Sequence, residues 1–156
     1  MLKEKIKIYL PWALTVICMG VIFWLSSRTA EESTAQSDVF VEWITEHFGK
    51  VSARLATIIV RKGAHCLEFT GLCVLFNWSL YNTKQKLMPI CAALLTSLYA
   101  ITDEIHQIFV EGRACMFIDW VIDTVGALLG AVGFLMLFAI INAIIRKYKS
   151  DKALTE

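Results

Sequence analysis

Four stretches of this sequence are long and apolar enough to cross a lipid bilayer as helices. A spanning helix needs roughly 20 mostly apolar residues, and the chain is 57% hydrophobic but only 19% charged. The predicted spans lie at about residues 8–25, 64–81, 87–110 and 118–145. The sequence therefore predicts an all-α polytopic membrane bundle of four transmembrane helices, forming a single domain over residues 1–156.

The first apolar stretch also resembles a signal peptide, because Lys3, Lys5 and Lys7 precede it. A cleavable signal needs small residues at and three positions before the cleavage point. Cleavage after Ala30 would place Arg28 at that earlier position. We therefore expect the first stretch to be retained as a membrane helix.

Lysine and arginine residues predict the orientation of the spans, because short cytoplasmic loops carry an excess of them. Nine fall on the side of the termini: Lys3, Lys5, Lys7, Lys84, Lys86, Arg146, Lys147, Lys149 and Lys152. Six fall on the opposite side: Arg28, Lys50, Arg54, Arg61, Lys62 and Arg113. The larger group belongs in the cytoplasm, so we expect both termini to face the cytoplasm.

The long outer segment between the first two spans contains a second kind of helical pattern. The first helix is expected to end at residues 26–29, and residues 53–61 are expected to lead directly into the second span. Between them, residues 38–48 place Phe40, Trp43, Ile44 and Phe48 at helical spacing, with Glu42, Glu46 and Lys50 among the polar positions. This pattern is typical of a helix lying in the membrane interface, and it is equally compatible with a lid packed over the bundle.

The ionisable residues of the spans all fall near the outer end of the predicted bundle. They are His65 and Glu68 in the second span, Asp103, Glu104 and His106 in the third, beside the polar Gln107, and Asp119 and Asp123 in the fourth. Three cations, Arg61, Lys62 and Arg113, flank them. Ionisable residues inside a span are costly and usually functional, so the sequence predicts a polar site at the outer leaflet.

Helical spacing predicts which of these side chains share a face. Residues three and four apart lie on one helix face, which aligns Asp119 and Asp123 with Gly126 and Gly130. Small residues at that spacing allow helices to approach closely, which would turn both aspartates inward. A purely structural network is the alternative interpretation, in which Asp119 pairs with Arg113 or stabilises its own helix start.

The net charge gives no indication of nucleic-acid binding, and the cysteine spacing gives none of a C-x-x-C site. The formal net charge is +1, so no global basic field points to nucleic acid. The five cysteines form no C-x-x-C pair, and four lie inside apolar runs, where cysteine behaves as a small hydrophobe. Only Cys115 falls in a loop.

Several short motifs together resemble those of the VanZ-like family. They are Ser26-Ser27, Arg61-Lys62-Gly63-Ala64-His65 with Glu68-Phe69, Asp103-Glu104-Ile105-His106-Gln107, Gly112-Arg113, and Asp119 with Asp123, Gly126 and Gly130. The resemblance runs from the first helix to about Gly130. Glu111 stands where the family usually has proline, and Phe69 where tyrosine is common.

This resemblance implies a membrane protein of the cell envelope. The founding member of the family is associated with resistance to teicoplanin, a glycopeptide antibiotic that bears a lipid chain. No settled mechanism follows from the resemblance, and a role of this chain in resistance is an expectation only.

Three functions fit the predicted site. The first is binding or modification of a lipid-linked or lipoglycopeptide amphiphile, with Arg61, Lys62 and Arg113 holding an anionic head group. The second is a membrane enzyme that uses acid–base chemistry or a divalent metal, which imidazole and carboxylate ligands suit, although no H-E-x-x-H motif is present. The third is a proton-coupled carrier, which the few ionisable residues in the cytoplasmic halves disfavour.

Overall fold

The chain folds into five α-helices and, in the residues that the structure describes, no strand. This computed structural model describes residues 2–47 and 52–153. The helices are α1 Leu2–Ser26, α2 Ala30–His47, α3 Ala53–Lys84, α4 Pro89–Gln107 and α5 Phe117–Ala153. The predicted all-α fold is confirmed.

Two of the five helices have the length and composition of membrane spans. Leu2–Ser26 and Phe117–Lys152 reach mean hydropathies of 2.0 and 2.6. In the described part of the chain, only these two helices are both long enough and apolar enough to span a membrane. Ionisable residues in α3 and α4 lower the mean hydropathy of those two helices. The chain therefore has the apolar helices of a membrane protein, and four spans remain a prediction.

Helix α3 occupies the centre of the fold and extends well past the predicted second span. Its 32 residues give a length of about 48 Å, against about 30 Å for the hydrocarbon core of a bilayer. The helix starts one residue after Ser52, whose hydroxyl caps it by accepting a hydrogen bond from the Leu55 amide. Residues 53–61 therefore continue without a break into residues 64–81, the predicted second span.

The core forms where α3 meets the other helices. Phe69, Leu72 and Cys73 of α3 are fully buried, together with Ile22 of α1 and Ala100 of α4. These positions lie three and four residues apart on α3, so one apolar stripe faces the interior. The buried stripe fixes the rotation of α3 about its axis and therefore the direction of its polar residues.

Two glycines of α5 allow it to pack directly on the backbone of α3. A Cβ atom at Gly126 would lie 2.3 Å from the Cys66 carbonyl oxygen, and one at Gly130 would lie 2.4 Å from the Thr70 carbonyl oxygen. The Thr70 hydroxyl also donates to the Gly126 carbonyl at 2.9 Å. The small-residue spacing read from the sequence therefore corresponds to a close helix crossing.

Helix α2 begins earlier than its aromatic spacing predicted. Thr29 and Glu32 form a reciprocal capping box: each backbone amide donates to the other residue's side chain, at 3.1 and 3.2 Å. This satisfies the free amides of a helix start, so the helix begins at Ala30. The predicted positions Phe48 and Lys50 lie outside the described residues.

Helix α2 packs on α3 through one face and leaves its other face open. Ser37 and Val41 are buried, whereas Val39, Phe40 and Trp43 are exposed. Its start is tied to the α4–α5 loop, since the Ala30 amide donates to a loop carbonyl at 3.3 Å. Both predicted roles, interfacial helix and lid, remain compatible with this placement.

Candidate functional site

Two adjoining cavities lie where the polar residues of α3, α4 and α5 meet. The larger has a volume of about 290 Å³ and is bounded by α3, the end of α4, the α4–α5 loop and the start of α5. The smaller, of about 150 Å³, lies between α3, α2 and the end of α1. Arg61, His65 and Arg113 line both cavities. Further polar residues line the larger one: Thr57, Lys62, Gln107, Asp119 and Asp123.

His65 and Asp123 form the most deeply buried polar pair of the larger cavity. The His65 Nδ1 atom lies 3.9 Å from an Asp123 carboxylate oxygen, beyond hydrogen-bond distance. Asp123 is 0% exposed, and neither of its oxygens has a hydrogen-bond donor among the described residues. The close crossing at Gly126, one turn along α5, holds the two side chains opposite each other.

Lys62 and Asp119 form an ion pair one helical turn nearer the start of α5. The lysine ammonium donates to the Asp119 carboxylate, and both side chains are partly exposed. This pairing corrects the alternative in which Arg113 pairs with Asp119. It also means that the charge of Lys62, expected to hold an anionic head group, is already balanced by the protein.

Arg113 lies between the outer loops and the cavities. Its Nε donates to the Arg28 carbonyl oxygen at 2.8 Å, which ties the α4–α5 loop to the α1–α2 turn. Gly112 precedes it with a φ of +72°, a conformation that glycine adopts without strain. The Nε hydrogen bond thereby holds Arg113 in place, and its side chain lines both cavities.

The two arginines of the site line both cavities, and neither is in an ion pair with a residue that the structure describes. In the described ranges, neither Arg61 nor Arg113 lies within ion-pair distance of an acidic side chain. Burial, and next the Arg61 guanidinium, lower the pKa of Arg113, although Asp103, Glu68 and Glu104 oppose this. Arginine nevertheless stays charged in proteins, so two cations share the boundary between the cavities.

Asp103 anchors a hydrogen-bond network between α1 and α4. One of its oxygens accepts hydrogen bonds from the Ser26 hydroxyl and from the Gln107 amide, both at 2.9 Å. The side chain is 2% exposed, and its second oxygen has no donor among the described residues. Asp103 therefore joins the end of α1 to the site through Ser26 and Gln107.

Glu68 lines the smaller cavity, one turn deeper than Ala64 on α3. It shares that cavity with Arg61, His65 and Arg113, and it makes no hydrogen bond or ion pair within the part of the chain that the structure describes. Arg61, His65 and Glu68 lie on one face of α3, as their spacing of four and three residues predicts.

Glu104 and His106 do not line either cavity. Glu104 is buried and accepts a hydrogen bond from the Met116 amide at 2.8 Å, beside an apolar hollow formed by α4 and α5. His106 stacks on Phe23, with ring centroids 4.1 Å apart, and contacts the Ser27 hydroxyl. The structure thus places Glu104 and His106 in contacts between helices, and Asp103, like them, lines neither cavity.

Three polar residues of α2 line the smaller cavity and were not predicted from the sequence. Ser33, Gln36 and Ser37 face Glu68 and His65 across it. Their spacing of three and four residues is a helical signal. The aromatic residues of α2 give a stronger helical pattern, which hides the spacing of these three polar residues.

The expected metal alternative finds no ligand set in this geometry. Among the described residues, no group of three histidine, cysteine, aspartate or glutamate side chains is placed to hold a metal ion. The described cavities instead combine two arginines, an internal ion pair and buried carboxylates without donors.

Comparison with known proteins gives a family. The family model described as VanZ/LLP1 matches residues 11–141, which include every residue of the two cavities. Searches of curated proteins and of solved structures found no match.

Proposed function

This chain belongs to the VanZ/LLP1 family, and on that premise we propose that it is a multi-pass protein of the cell envelope that binds the anionic head group of an amphiphile at the outer leaflet. The amphiphile is a membrane lipid, a lipid-linked precursor or a lipoglycopeptide such as teicoplanin. Binding or modification of such molecules would let the protein contribute to antibiotic resistance of the teicoplanin type.

The proposed topology has four spans and cytoplasmic termini. Helices α1, α3, α4 and α5 would cross the bilayer, and α2 would remain outside as an interfacial helix or lid. Support comes from the split of nine against six basic residues. With this orientation, the start of α5 and the end of α4 lie at the outer surface, together with both cavities.

The observation that carries the proposal is the pair of arginines at the boundary between the cavities. Arg61 and Arg113 repel each other, and no described carboxylate lies within ion-pair distance of either. A phosphate or carboxylate between them would remove this repulsion. The planar guanidinium group also suits bidentate contact with such anions.

The surroundings of the larger cavity favour a ligand with an apolar body. Its walls include Ile58 and Ile122, and beside it Leu55, Ile59 and Ile118 are exposed. At about 290 Å³, the cavity is at the lower limit of pockets that enclose a whole small ligand, roughly 300–1,000 Å³. A head group would fit inside while the apolar body lay along α3 and α5.

The test is lipid binding by purified protein with matched arginine variants. Arg61→Gln and Arg113→Gln should each weaken binding of an anionic phospholipid, measured by native mass spectrometry in detergent. Arg54→Gln is the control, because Arg54 is exposed two turns away on α3 and lines neither cavity. Equal binding by all three variants and the unchanged protein would disprove the proposal.

A second candidate function is acid–base catalysis on the bound amphiphile. The opposed His65 and Asp123 side chains, 3.9 Å apart, favour it, since a positioned histidine contributes about 10²–10⁴-fold in proton-transfer steps. His65→Gln should then abolish product formation without weakening lipid binding. Mass spectrometry of lipids from cells with and without the protein would detect the product, and identical lipid profiles would exclude catalysis.

A further inference from the structure

The floor of the larger cavity has a chemistry opposite to that of its mouth. Asp123 lies four residues, or about 6 Å along the helix, deeper than Asp119. It is fully buried and lines the cavity with two oxygens that accept no hydrogen bond from the described residues. Buried polar groups are almost always hydrogen-bonded, so this carboxylate calls for a donor.

None of the neighbouring side chains supplies that donor. Lys62 is engaged by Asp119, and the His65 Nδ1 atom is 3.9 Å away and has no hydrogen-bond partner in the described ranges. Gln107 donates to Asp103 instead. At one level of the cavity, two arginines can bind an anion. About one helical turn deeper, a buried carboxylate can accept a hydrogen bond from a donor on the ligand.

We propose that the cavity selects a phosphate ester whose second substituent ends in a hydrogen-bond donor, a hydroxyl or an ammonium group. This inference rests on the proposed function and specifies the head group that it binds. The phosphate lies between Arg61 and Arg113, and the donor reaches Asp123. A short two- or three-carbon spacer, as in phosphoglycerol or phosphoethanolamine, spans the offset between the two levels.

The size of the cavity supports this division of the ligand. A volume of about 290 Å³ accommodates a phosphate with a small polar substituent. Ile58 and Ile122 make part of its wall apolar, which suits a short carbon spacer. A phosphate ester without a donor would bring only apolar hydrogens against Asp123 and leave that carboxylate buried without a partner.

Two phospholipids that differ only in the donor provide the test. Phosphatidylglycerol and phosphatidylpropanol carry the same single charge and the same three head-group carbons, but only the first has hydroxyl groups. The purified full chain in detergent should bind phosphatidylglycerol at least about fivefold more tightly, because a buried acceptor left without a donor costs roughly five- to 150-fold in binding. Soluble glycerol phosphate should bind far more weakly than the lipid, and equal binding would overturn a lipid source for the head group.

Variants test whether Asp123, at the floor of the larger cavity, causes the preference for phosphatidylglycerol. Asp123→Asn should reduce the preference for phosphatidylglycerol, whereas Glu111→Gln, a matched change at an exposed loop residue outside the cavity, should keep it. If Asp123→Asn does not fold, the comparison of the two lipids on the unchanged protein still decides. Equal binding of both lipids, weakened by Arg113→Gln, would overturn the donor requirement and leave the proposed function standing. Binding of neither lipid would overturn both.

Discussion

Replacing Gly126 by alanine should separate α3 from α5 at the depth of the site. The added Cβ atom would lie 2.3 Å from the Cys66 carbonyl oxygen, whereas ordinary contact begins at 3.4 Å. The helices must therefore move apart by about 1 Å, since a backbone carbonyl cannot rotate away as a flexible side chain does. Overpacking of this kind costs about 1–3 kcal/mol.

Helix propensity acts in the opposite direction and has to be removed from the comparison. Alanine is favoured over glycine in a helix by about 1 kcal/mol. Gly133 lies on the same helix, and a Cβ atom there would meet nothing within 4 Å. Gly133→Ala therefore includes the propensity gain without the clash. The difference between the two variants isolates the packing cost at Gly126.

Thermal unfolding in detergent measures that difference. A fluorogenic maleimide suits this protein, because Cys73 is fully buried and becomes reactive on unfolding, while exposed Cys115 gives a constant background. Gly126→Ala should unfold at a clearly lower temperature than Gly133→Ala. It should also reduce lipid binding, because His65 and Asp123 adjoin the displaced contact. Equal unfolding temperatures for the two variants would refute the close crossing.

Three further predictions concern topology and the polar network. Reporter fusions after Thr83 and Glu156 should read cytoplasmic and one after Arg113 external; an external C-terminus would move the cavities to the wrong side. Ser26→Ala removes a hydrogen bond to buried Asp103 and should lower stability by about 1–2 kcal/mol in the same unfolding assay, whereas an unchanged midpoint would mean that the bond is not stabilising. Arg113→Lys keeps the charge but loses the planar fork, so lipid binding should fall roughly tenfold at normal abundance on quantitative blots; full binding by the lysine variant would argue against bidentate contact.

The sequence was sufficient to predict the helices and the level of the polar residues. Spacing alone put Asp119, Asp123, Gly126 and Gly130 on one face of α5, and the crossing with α3 follows from it. Hydropathy located α1 and α5 directly. These features are local, because each depends on residues within a few turns of one helix.

The pairings between helices could not be predicted in the same way. Spacing does not distinguish Lys62 from Arg113 as the partner of Asp119, because the choice depends on how far α3 extends past α5 and on where the loop places its arginine. His106 and Asp103 both turn to α1, where His106 stacks on Phe23 and Asp103 accepts a hydrogen bond from Ser26. The rotation of α4 decides this, and that rotation is set by packing against three other helices.

The start of α2 is a different case, because the sequence carries a local signal for it. The residues Thr29 and Glu32 stand at the spacing of a capping box, three apart. Aromatic residues later in the segment drew the prediction toward residue 38. A search for capping residues would have placed the helix start correctly and brought Ser33, Gln36 and Ser37 into the predicted site.

The hydrogen bond from Arg113 to the Arg28 carbonyl has a consequence for biosynthesis. The two residues are 85 positions apart, and chains emerge from the ribosome at about 5–20 residues per second. For several seconds, the α1–α2 turn is therefore made but lacks the partner that fixes it. The wall that α2 gives to the smaller cavity gains this tie only after the α4–α5 loop has been translated, so a chain truncated before Arg113 would hold α2 by its packing on α3 alone.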